Sequence, residues 1–166
     1  MRTTPSYKGL KPASALASRI GQAASRKKNT APERLLRRAL RNQGVRHKVC
    51  VDSLPGKPDI VVSSARLAVF CDGDFWHGRY LKRRLAKLAN VHNAAYWVSK
   101  IKANVQRDRR VDRLLKKEGW TPLRVWESDL RADPDRVTKL VIDAIMRARK
   151  PRARAASARH KEKALD

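Results

Sequence analysis

The chain has few cysteines, few acids and no long apolar run. Its two cysteines, Cys50 and Cys71, form no CxxC pair, so they can build neither a disulfide framework nor a four-cysteine zinc site. No stretch of about 18 apolar residues occurs, and the N-terminal segment lacks the apolar core of a secretory signal. We therefore expect a soluble protein in a reducing compartment, the cytoplasm.

The shortage of acidic residues points to a partner. Asp and Glu number 15 against 40 Lys and Arg, which gives a formal net charge of +25. A field of this sign and size attracts polyanions, so nucleic acid is the leading partner. A ribosome-associated or histone-like binder and a membrane-surface binder are the competing interpretations. Charge therefore predicts a partner but no activity.

Length and composition indicate one domain between two basic ends. The 166 residues have room for a single domain with a hydrophobic core. Residues 1–28 carry no acid, which predicts a flexible basic arm, and the similar composition of residues 150–166 predicts a disordered basic tail. The folded domain is expected to span residues 29–149.

Hydrophobic spacing divides this domain into seven elements. The segment "NTAPERLLRRALRNQG" predicts a helix with Thr30 as its N-cap and Gly44 as its end. The segments "RHKVCVD", "IVV" and "RLAVFCD" predict three strands of a meander. A helix over Ala94 to Glu118, a strand "TPLRVWES" and a closing helix "PDRVTKLVIDAIMRAR" complete the order α-β-β-β-α-β-α. This order predicts an α+β or α/β domain with a mixed sheet.

Acidic residues gather in the stretch "LPGKPDIVVSSARLAVFCDGDFWHG". Asp59 begins an apolar strand, and a rigid strand end can aim a carboxylate at a hard cation such as Mg²⁺. A plain turn aspartate is an equally good interpretation of its position alone. Asp72 and Asp74 flank a glycine at the end of the next strand, and antiparallel pairing can bring Asp59 beside the backbone of Cys71 and Asp72. This spacing favours a shared cation.

A histidine and two aromatic rings follow these acids. His77 lies three residues after Asp74, and a neutral imidazole beside a metal-bound phosphodiester can act as a general base toward water. A lone histidine is more often structural. Phe75 and Trp76 can be core residues, but adjacent rings on a strand cannot both point inward. In a basic protein, an exposed ring pair suits stacking on bases or wedging between them.

Four segments resemble those of the very short patch repair (Vsr) DNA mismatch endonucleases in order and spacing: "LPGKPDIVV", "VFCDGDFWHG", "AYWVSKIKANVQRDRR" and "GWTPLRVWESDL". The resemblance covers Asn29 to Leu130. It implies the PD-(D/E)xK restriction-endonuclease-like fold, an α/β fold with a central mixed sheet flanked by helices. It also implies a Mg²⁺-dependent DNA endonuclease that nicks one strand of duplex DNA next to a T:G mismatch. The alternatives are a restriction-type or homing endonuclease without mismatch preference and a catalytically inactive DNA-binding protein.

The resemblance implies a role for each matching position. Asp59 is the central metal carboxylate and the main-chain carbonyl of Cys71 a second ligand, while His77 is the base that activates water. The other implied roles are a wedge of aromatic rings, two supporting acids and two basic DNA contacts: Phe75, Trp76 and Trp97; Glu33 and Asp108; Lys57 and Arg79. For Glu33 a structural role in a capping box with Thr30 is the alternative.

This sequence departs from the best-studied members of the family at two places. Those members carry histidine where Asp72 stands, so Asp72 is expected to bind metal, directly or through water. They also hold a structural zinc, whose ligand positions correspond here to Asp74, Arg79, Leu81 and Ser128. These side chains cannot form a tetrahedral zinc site, so we expect no structural zinc.

The resemblance also implies the protein's surroundings. Its partner is expected to be double-stranded DNA with a T:G mismatch, and the protein is expected to act as a nucleoid-associated monomer without membrane association. Mismatch-repair proteins or a DNA methyltransferase are the expected protein partners.

Overall fold

The computed structural model describes residues 29–88 and 93–162, with the backbone alone for residues 150–162. The basic arm expected over residues 1–28 and the last residues of the tail lie outside the described residues. The described elements are, in chain order, α1 (Ala31–Asn42), β1 (Lys48–Val49), β2 (Ile60–Val62), a 3-10 turn (Ser63–Ala65), β3 (Leu67–Asp72), α2 (Leu81–Leu88), α3 (Ala94–Lys117), β4 (Thr121–Trp126), α4 (Glu127–Ala132) and α5 (Pro134–Glu162). None of the described helices is long and apolar enough to cross a membrane.

The four strands form one mixed sheet in the order β1-β2-β3-β4. Strands β1, β2 and β3 pair antiparallel as a meander, whereas β4 joins β3 in parallel, with Asp72 opposite Trp126. The α/β class with a central mixed sheet flanked by helices is therefore confirmed. β1 is shorter than the segment "RHKVCVD" because only Lys48 and Val49 pair, and the next residue, Cys50, has a positive φ of 50°.

Both faces of β3 are buried, which explains its nearly unbroken apolar sequence. Leu67 and Val69 belong to a core cluster with residues of α1 and α5, whereas Ala68 and Phe70 pack with Leu115 of α3. This alternation follows from the two-residue period of a strand. By the same period, Asp72 points to the α3 side of the sheet, as Phe70 does.

The predicted helix α1 is confirmed at its N-terminus. Thr30 is the N-cap, and its side chain accepts a hydrogen bond from the backbone N–H of Glu33 at 3.4 Å. Helix α3 and strand β4 also lie where the sequence predicted them, except that β4 ends at Trp126 because Glu127 begins α4. Helices α2 and α4 were not predicted.

The closing helix is longer than expected. Its backbone is helical through Glu162, whereas the sequence predicted a disordered tail from residue 150. The added segment "PRARAASARHKE" is rich in alanine and arginine, which rank among the strongest helix formers and sustain the helix beyond its apolar part. The division of the chain into arm, domain and tail stays a prediction.

Candidate active site

Asp59 lies immediately before β2, at the edge where β2 meets β3. Its backbone N–H donates to the carbonyl of Val69 at 3.0 Å, and its Oδ2 accepts from the backbone N–H of Cys71 at 2.8 Å. Burial, together with the negative charges of Glu33 and Asp72, raises the pKa of Asp59 to about 6, although the hydrogen bond from Cys71 acts in the opposite direction. The structure thus brings Asp59 and Cys71 together, as the strand pairing predicted.

Glu33 is buried near Asp59, but its oxygens are already occupied. Oε2 accepts from the backbone N–H of Asn29 at 2.9 Å and from Nη2 of Arg37 at 2.8 Å, and Oε1 accepts from Oγ1 of Thr30 at 2.8 Å. The contacts with Thr30 are those of a capping box, and Arg37 adds an ion pair one turn later in α1. The geometry therefore favours the structural interpretation of Glu33, while its charge still acts on Asp59.

His77 faces two carboxylates. Its Nδ1 lies 2.8 Å from Oδ2 of Asp108 in α3 and 3.3 Å from Oδ1 of Asp72 at the end of β3. Burial disfavours ionised Asp108, but the hydrogen bond with His77, the charges of His77 and Arg124, and a hydrogen bond from Arg107 outweigh it and lower the pKa of Asp108. An ionised carboxylate only accepts hydrogen bonds, so Nδ1 is the donor in this contact, and in the neutral form of the ring Nε2 then has the lone pair. A neutral imidazole in this tautomer can act as a general base through Nε2.

The loop between β3 and α2 is held against α3 at three consecutive residues. The carbonyl of Trp76 accepts from Nδ2 of Asn104 at 2.9 Å, and His77 pairs with Asp108. Gly78 has a φ of +72°, and a Cβ placed on it would lie 2.7 Å from a methyl group of Val105. A glycine is required here both for the backbone angle and for the close approach to α3. Helix α3 thus fixes where the imidazole stands.

Arg124 is a central residue of this region that the sequence analysis missed. It projects from β4 toward α3, and its Nη1 donates to both oxygens of Asp72 at 2.9 and 3.1 Å. Its Nε and Nη2 donate to Oδ1 of Asp112 at 3.1 and 2.9 Å, and the guanidinium lies 4.4 Å from the ring centroid of Phe70. The signal for it was an arginine inside the otherwise apolar strand "TPLRVW", a position that requires buried anions nearby.

Two sets of ligands suit a divalent cation. Asp72, His77 and Asp108 offer ligand atoms that all lie within 4.8 Å of one another. The oxygens of Asp72, however, already accept from Arg124, and burial, the largest influence on Asp72, raises its pKa against the opposing charges of His77 and Arg124. Among the described residues, the carboxylate of Asp59 accepts one hydrogen bond, from the backbone N–H of Cys71. Glu33 and Asp72 add negative charge around Asp59, so its carboxylate is also a candidate ligand for a hard cation.

The three predicted wedge rings form one cluster. The ring centroids of Phe75 and Trp76 are 4.9 Å apart, and that of Trp97 in α3 lies 6.1 Å from Phe75 and 5.8 Å from Trp76. Trp76 is 40% exposed and directly precedes His77. An exposed indole with rings behind it therefore stands next to the imidazole.

Arg79, a predicted basic DNA contact, pairs with side chains of the protein itself. Nη1 donates to Asp74 at 3.1 Å and to Oγ of Ser128, and Nη2 donates to Asp129 at 2.7 Å. Asp74 also accepts from Oγ of Ser128 at 2.6 Å and from its N–H at 3.1 Å. The hydrogen bond from Arg79 to Asp129, followed by smaller contributions from Tyr80 and Asp74, raises the pKa of Arg79 and keeps it charged. This cluster joins the loop after β3 to α4.

Lys57, the other predicted basic DNA contact, lies on the surface. Its Nζ is 3.0 Å from Oδ1 of Asp52, and its side chain is 63% exposed. Exposed ion pairs of this kind are weak, so a phosphate group can compete with the carboxylate for Lys57.

Comparison with known proteins identifies the family. A family model described as "DNA mismatch endonuclease Vsr" matches residues 17–83. The "Type II nicking enzyme V.HpaIIP" of Haemophilus parainfluenzae is 34% identical over 124 residues, which cover 75% of this chain and 86% of that protein. The "Type II nicking enzyme V.NmeDIP" of Neisseria meningitidis serogroup C is 39% identical over 106 residues, or 64% of this chain and 70% of that protein. The "DNA mismatch endonuclease Vsr" of Escherichia coli (strain K12) is 40% identical over 104 residues, or 63% and 65% of the two chains.

These similarities agree with the mixed sheet and with the acids and histidine at its edge. Endonucleases of this restriction-like fold use a divalent metal, and the described site has acidic groups that can hold one. The chain belongs to the Vsr family of DNA mismatch endonucleases and is a DNA endonuclease.

Proposed function

We propose that the protein is a Mg²⁺-dependent endonuclease that nicks one strand of duplex DNA next to a T:G mismatch. The observation that carries this proposal is the juxtaposition of three parts at one end of β3. These are the Asp59–Cys71 strand end, the His77–Asp108 pair and the exposed ring of Trp76. The names of the relatives, a mismatch endonuclease and nicking enzymes, support both mismatched DNA as the substrate and the cutting of one strand.

Asp59 and the main-chain carbonyl of Cys71 are the groups that would hold the cation. Both supply oxygen, which Mg²⁺ prefers, and the other carboxylates near Asp59 add attractive charge. When bound, the cation offsets the negative charge that develops on the scissile phosphate and makes a bound water more acidic. The chain's part is to keep one carboxylate fixed at this strand end.

His77 is the group that takes a proton from the attacking water. Nε2 accepts that proton as the water oxygen bonds to phosphorus, and the oxygen of the broken P–O bond leaves with the bonding electron pair. Asp108 at Nδ1 keeps the imidazole in the required tautomer and stabilises the imidazolium that forms. This arrangement needs no movement of the loop, because α3 already holds it.

The aromatic cluster of Phe75, Trp76 and Trp97 accounts for mismatch preference. Opening a base step costs a few kcal/mol, and that cost is smallest where pairing is already defective. Trp76 is the exposed member, so it is the ring that would enter the duplex. The basic surface acts differently, because phosphate contacts favour every duplex alike.

The proposed setting follows the same chemistry. A monomer with a net charge of +25 is suited to the DNA of the nucleoid, where it would act without a membrane contact. Mismatch-repair proteins or a DNA methyltransferase remain the predicted protein partners.

The test compares nicking of otherwise identical T:G and T:A duplexes, with Mg²⁺ and with EDTA. We expect one nick, on one strand, in the T:G duplex with Mg²⁺. Trp76→Ala should remove most of the preference for T:G while keeping much of the affinity for T:A. Trp120→Phe is the matched control, because Trp120 packs against Arg66 at the far end of β3.

Two results would contradict the proposal. Equal cutting of matched and mismatched duplexes by the parent protein would support a restriction-type endonuclease instead. Full discrimination by Trp76→Ala would remove the wedge from the explanation.

A further inference from the structure

Arg124 is a largely buried arginine whose side-chain nitrogens all donate to groups of the protein. Its side chain is 18% exposed, and Nε, Nη1 and Nη2 donate to Asp72, to Asp112 and to the backbone carbonyl of Asp108. Burial opposes its charge, but the hydrogen bonds to Asp112 and Asp72 and their charges outweigh burial and raise the pKa of Arg124. A guanidinium with every donor engaged is not available to a DNA phosphate, so its role lies inside the site.

The two oxygens of Asp72 accept from one nitrogen of Arg124, which fixes the carboxylate in one orientation. Asp72 is 3% exposed, and a buried carboxylate requires a counter-charge. Arg124 supplies that counter-charge permanently, whereas a dissolved cation would have to displace it. Asp72 is therefore poorly suited to be an exchangeable metal ligand.

The orientation that Arg124 imposes aims Asp72 at His77. Oδ1 of Asp72 lies 3.3 Å from Nδ1, and Oδ2 of Asp108 lies 2.8 Å from the same atom. The hydrogen bond to Asp108 and the charge of Asp72 beside the same nitrogen restrict the ring more than Asp108 alone would. A ring flip would turn a C–H group toward both carboxylates and break the hydrogen bond to Asp108. The direction of Nε2 thus depends on Asp72 as well as on Asp108.

We propose that Arg124 is a positioning residue that acts through Asp72, so that Asp72 orients the imidazole of His77 and is not a ligand of the catalytic cation. This inference rests on the proposed role of His77 as the base. It revises the expectation that Asp72 binds metal. It also assigns a function to Arg124, 52 residues away along the chain.

The test uses Arg124→Met, Asp72→Asn and the double variant, with Arg136→Met as control. Arg136 is also paired with carboxylates, but it is 58% exposed and, among the described contacts, it touches neither Asp72 nor His77. Single-turnover nicking at saturating protein is measured together with DNA affinity without metal and with the Mg²⁺ concentration for half-maximal rate. Nitrogen-15 NMR of the His77 ring reports its tautomer without any reaction.

Arg124→Met should slow nicking by about 10- to 100-fold, the size expected for losing a charged hydrogen bond, while DNA affinity changes by less than about twofold. Because the Asp72 carboxylate is then no longer fixed beside Nδ1, the nitrogen-15 signals of the His77 ring should shift from those of the parent protein. Asp72→Asn should slow nicking by about 10-fold because it removes the charge 3.3 Å from Nδ1, and it should leave the Mg²⁺ requirement unchanged because Asp72 is not a ligand of the cation. Arg136→Met should match the parent protein in rate.

The double variant keeps the test decisive if Arg124→Met does not fold. Removing Asp72's charge together with that of Arg124 leaves no uncompensated carboxylate at this position, so the double variant should nick about as fast as Asp72→Asn. A double variant far slower than Asp72→Asn would mean that Arg124 does not act through Asp72. A Mg²⁺ requirement raised about tenfold or more by Asp72→Asn would make Asp72 a metal ligand. Either result overturns the inference.

Failure of the proposed function can be distinguished from failure of this inference. If the parent protein cuts another duplex in place of the T:G duplex, the variants are compared on that duplex. If it cuts none, the nitrogen-15 signals of His77 alone decide, and signals that are unchanged in both Arg124→Met and Asp72→Asn overturn the inference.

Discussion

Replacing Asp108 with asparagine tests the base directly. The substitution keeps the size and shape of the side chain but removes the charge that faces Nδ1 of His77 at 2.8 Å. The amide can also turn its NH₂ group toward Nδ1, which would favour the tautomer with the proton on Nε2. An imidazole protonated at Nε2 cannot take a proton from water there. We therefore expect Asp108→Asn to bind DNA normally and to nick it slowly.

The size of the effect follows from the distance and the burial. Two unit charges about 4 Å apart in a partly buried site interact by about 4 kcal/mol, which corresponds to roughly 10³-fold in rate if the imidazolium forms only in the transition state. Asp72 remains 3.3 Å from Nδ1 and replaces part of the lost charge. The expected loss is therefore about 10²- to 10³-fold, within the range of general-base catalysis.

The assay is single-turnover nicking of a T:G duplex at saturating protein and Mg²⁺, with DNA affinity measured without metal. Asp143→Asn serves as the control, because Asp143 pairs only with Lys139 on the surface of α5 among the described contacts. A rate for Asp108→Asn within about threefold of the parent rate would refute the assignment of His77 as base. A loss of DNA affinity as large as the loss of rate would refute it too.

Two further predictions concern Asp59 and Arg79. In the metal-free protein, carbon-13 NMR should place the pKa of Asp59 near 6. Because this pKa is raised above the unfolded value of about 3.9, the contribution of Asp59 to stability is lost as pH rises from about 4 through 6. Mg²⁺ should bind more tightly as pH rises through 6, because the carboxylate then loses its proton. A pKa near 4 would contradict this. Elemental analysis should find no stoichiometric zinc, and EDTA should leave the melting temperature unchanged. Arg79→Met should lower the melting temperature, because it breaks the contacts with Asp74 and Asp129. Tightly bound zinc would contradict the view that these polar contacts replace a structural zinc.

Local patterns in the sequence predicted much of the fold. The capping box of Thr30 and Glu33 and the apolar face behind it define α1 within a few residues. The helix α2 in "LKRRLAKL" was missed because the segment is short and basic residues separate its few apolar residues. The tail was assigned to disorder from charge alone, although alanine and arginine favour helix.

The candidate site, like the fold, could be predicted only in part from the sequence. Asp59 and Cys71 lie close in sequence on paired strands, so their meeting followed from strand order. Arg124 and Asp72 meet across 52 residues, and Arg79 meets Asp129 across 50, so only the tertiary structure brings them together. Arg79 was predicted to contact DNA because a basic residue near a DNA site has that role by default. Which arginines are free for phosphate is decided by acids that no local pattern reveals.

The distribution of counter-charge then separates two kinds of carboxylate within one site. Asp72 and Asp108 lie beside cationic groups, Arg124 and Arg107, and both face Nδ1 of His77, so in the proposed mechanism their charge supports the imidazole. Asp59 has a backbone N–H as its hydrogen-bond partner and Glu33 as a negative neighbour. Burying a charge costs several kcal/mol unless it is compensated, and among the described residues the first pair has more cationic partners than Asp59 has. A dissolved cation is the compensation that Asp59 lacks, which is why acids so close together can serve separately as metal ligand and as supports of the base.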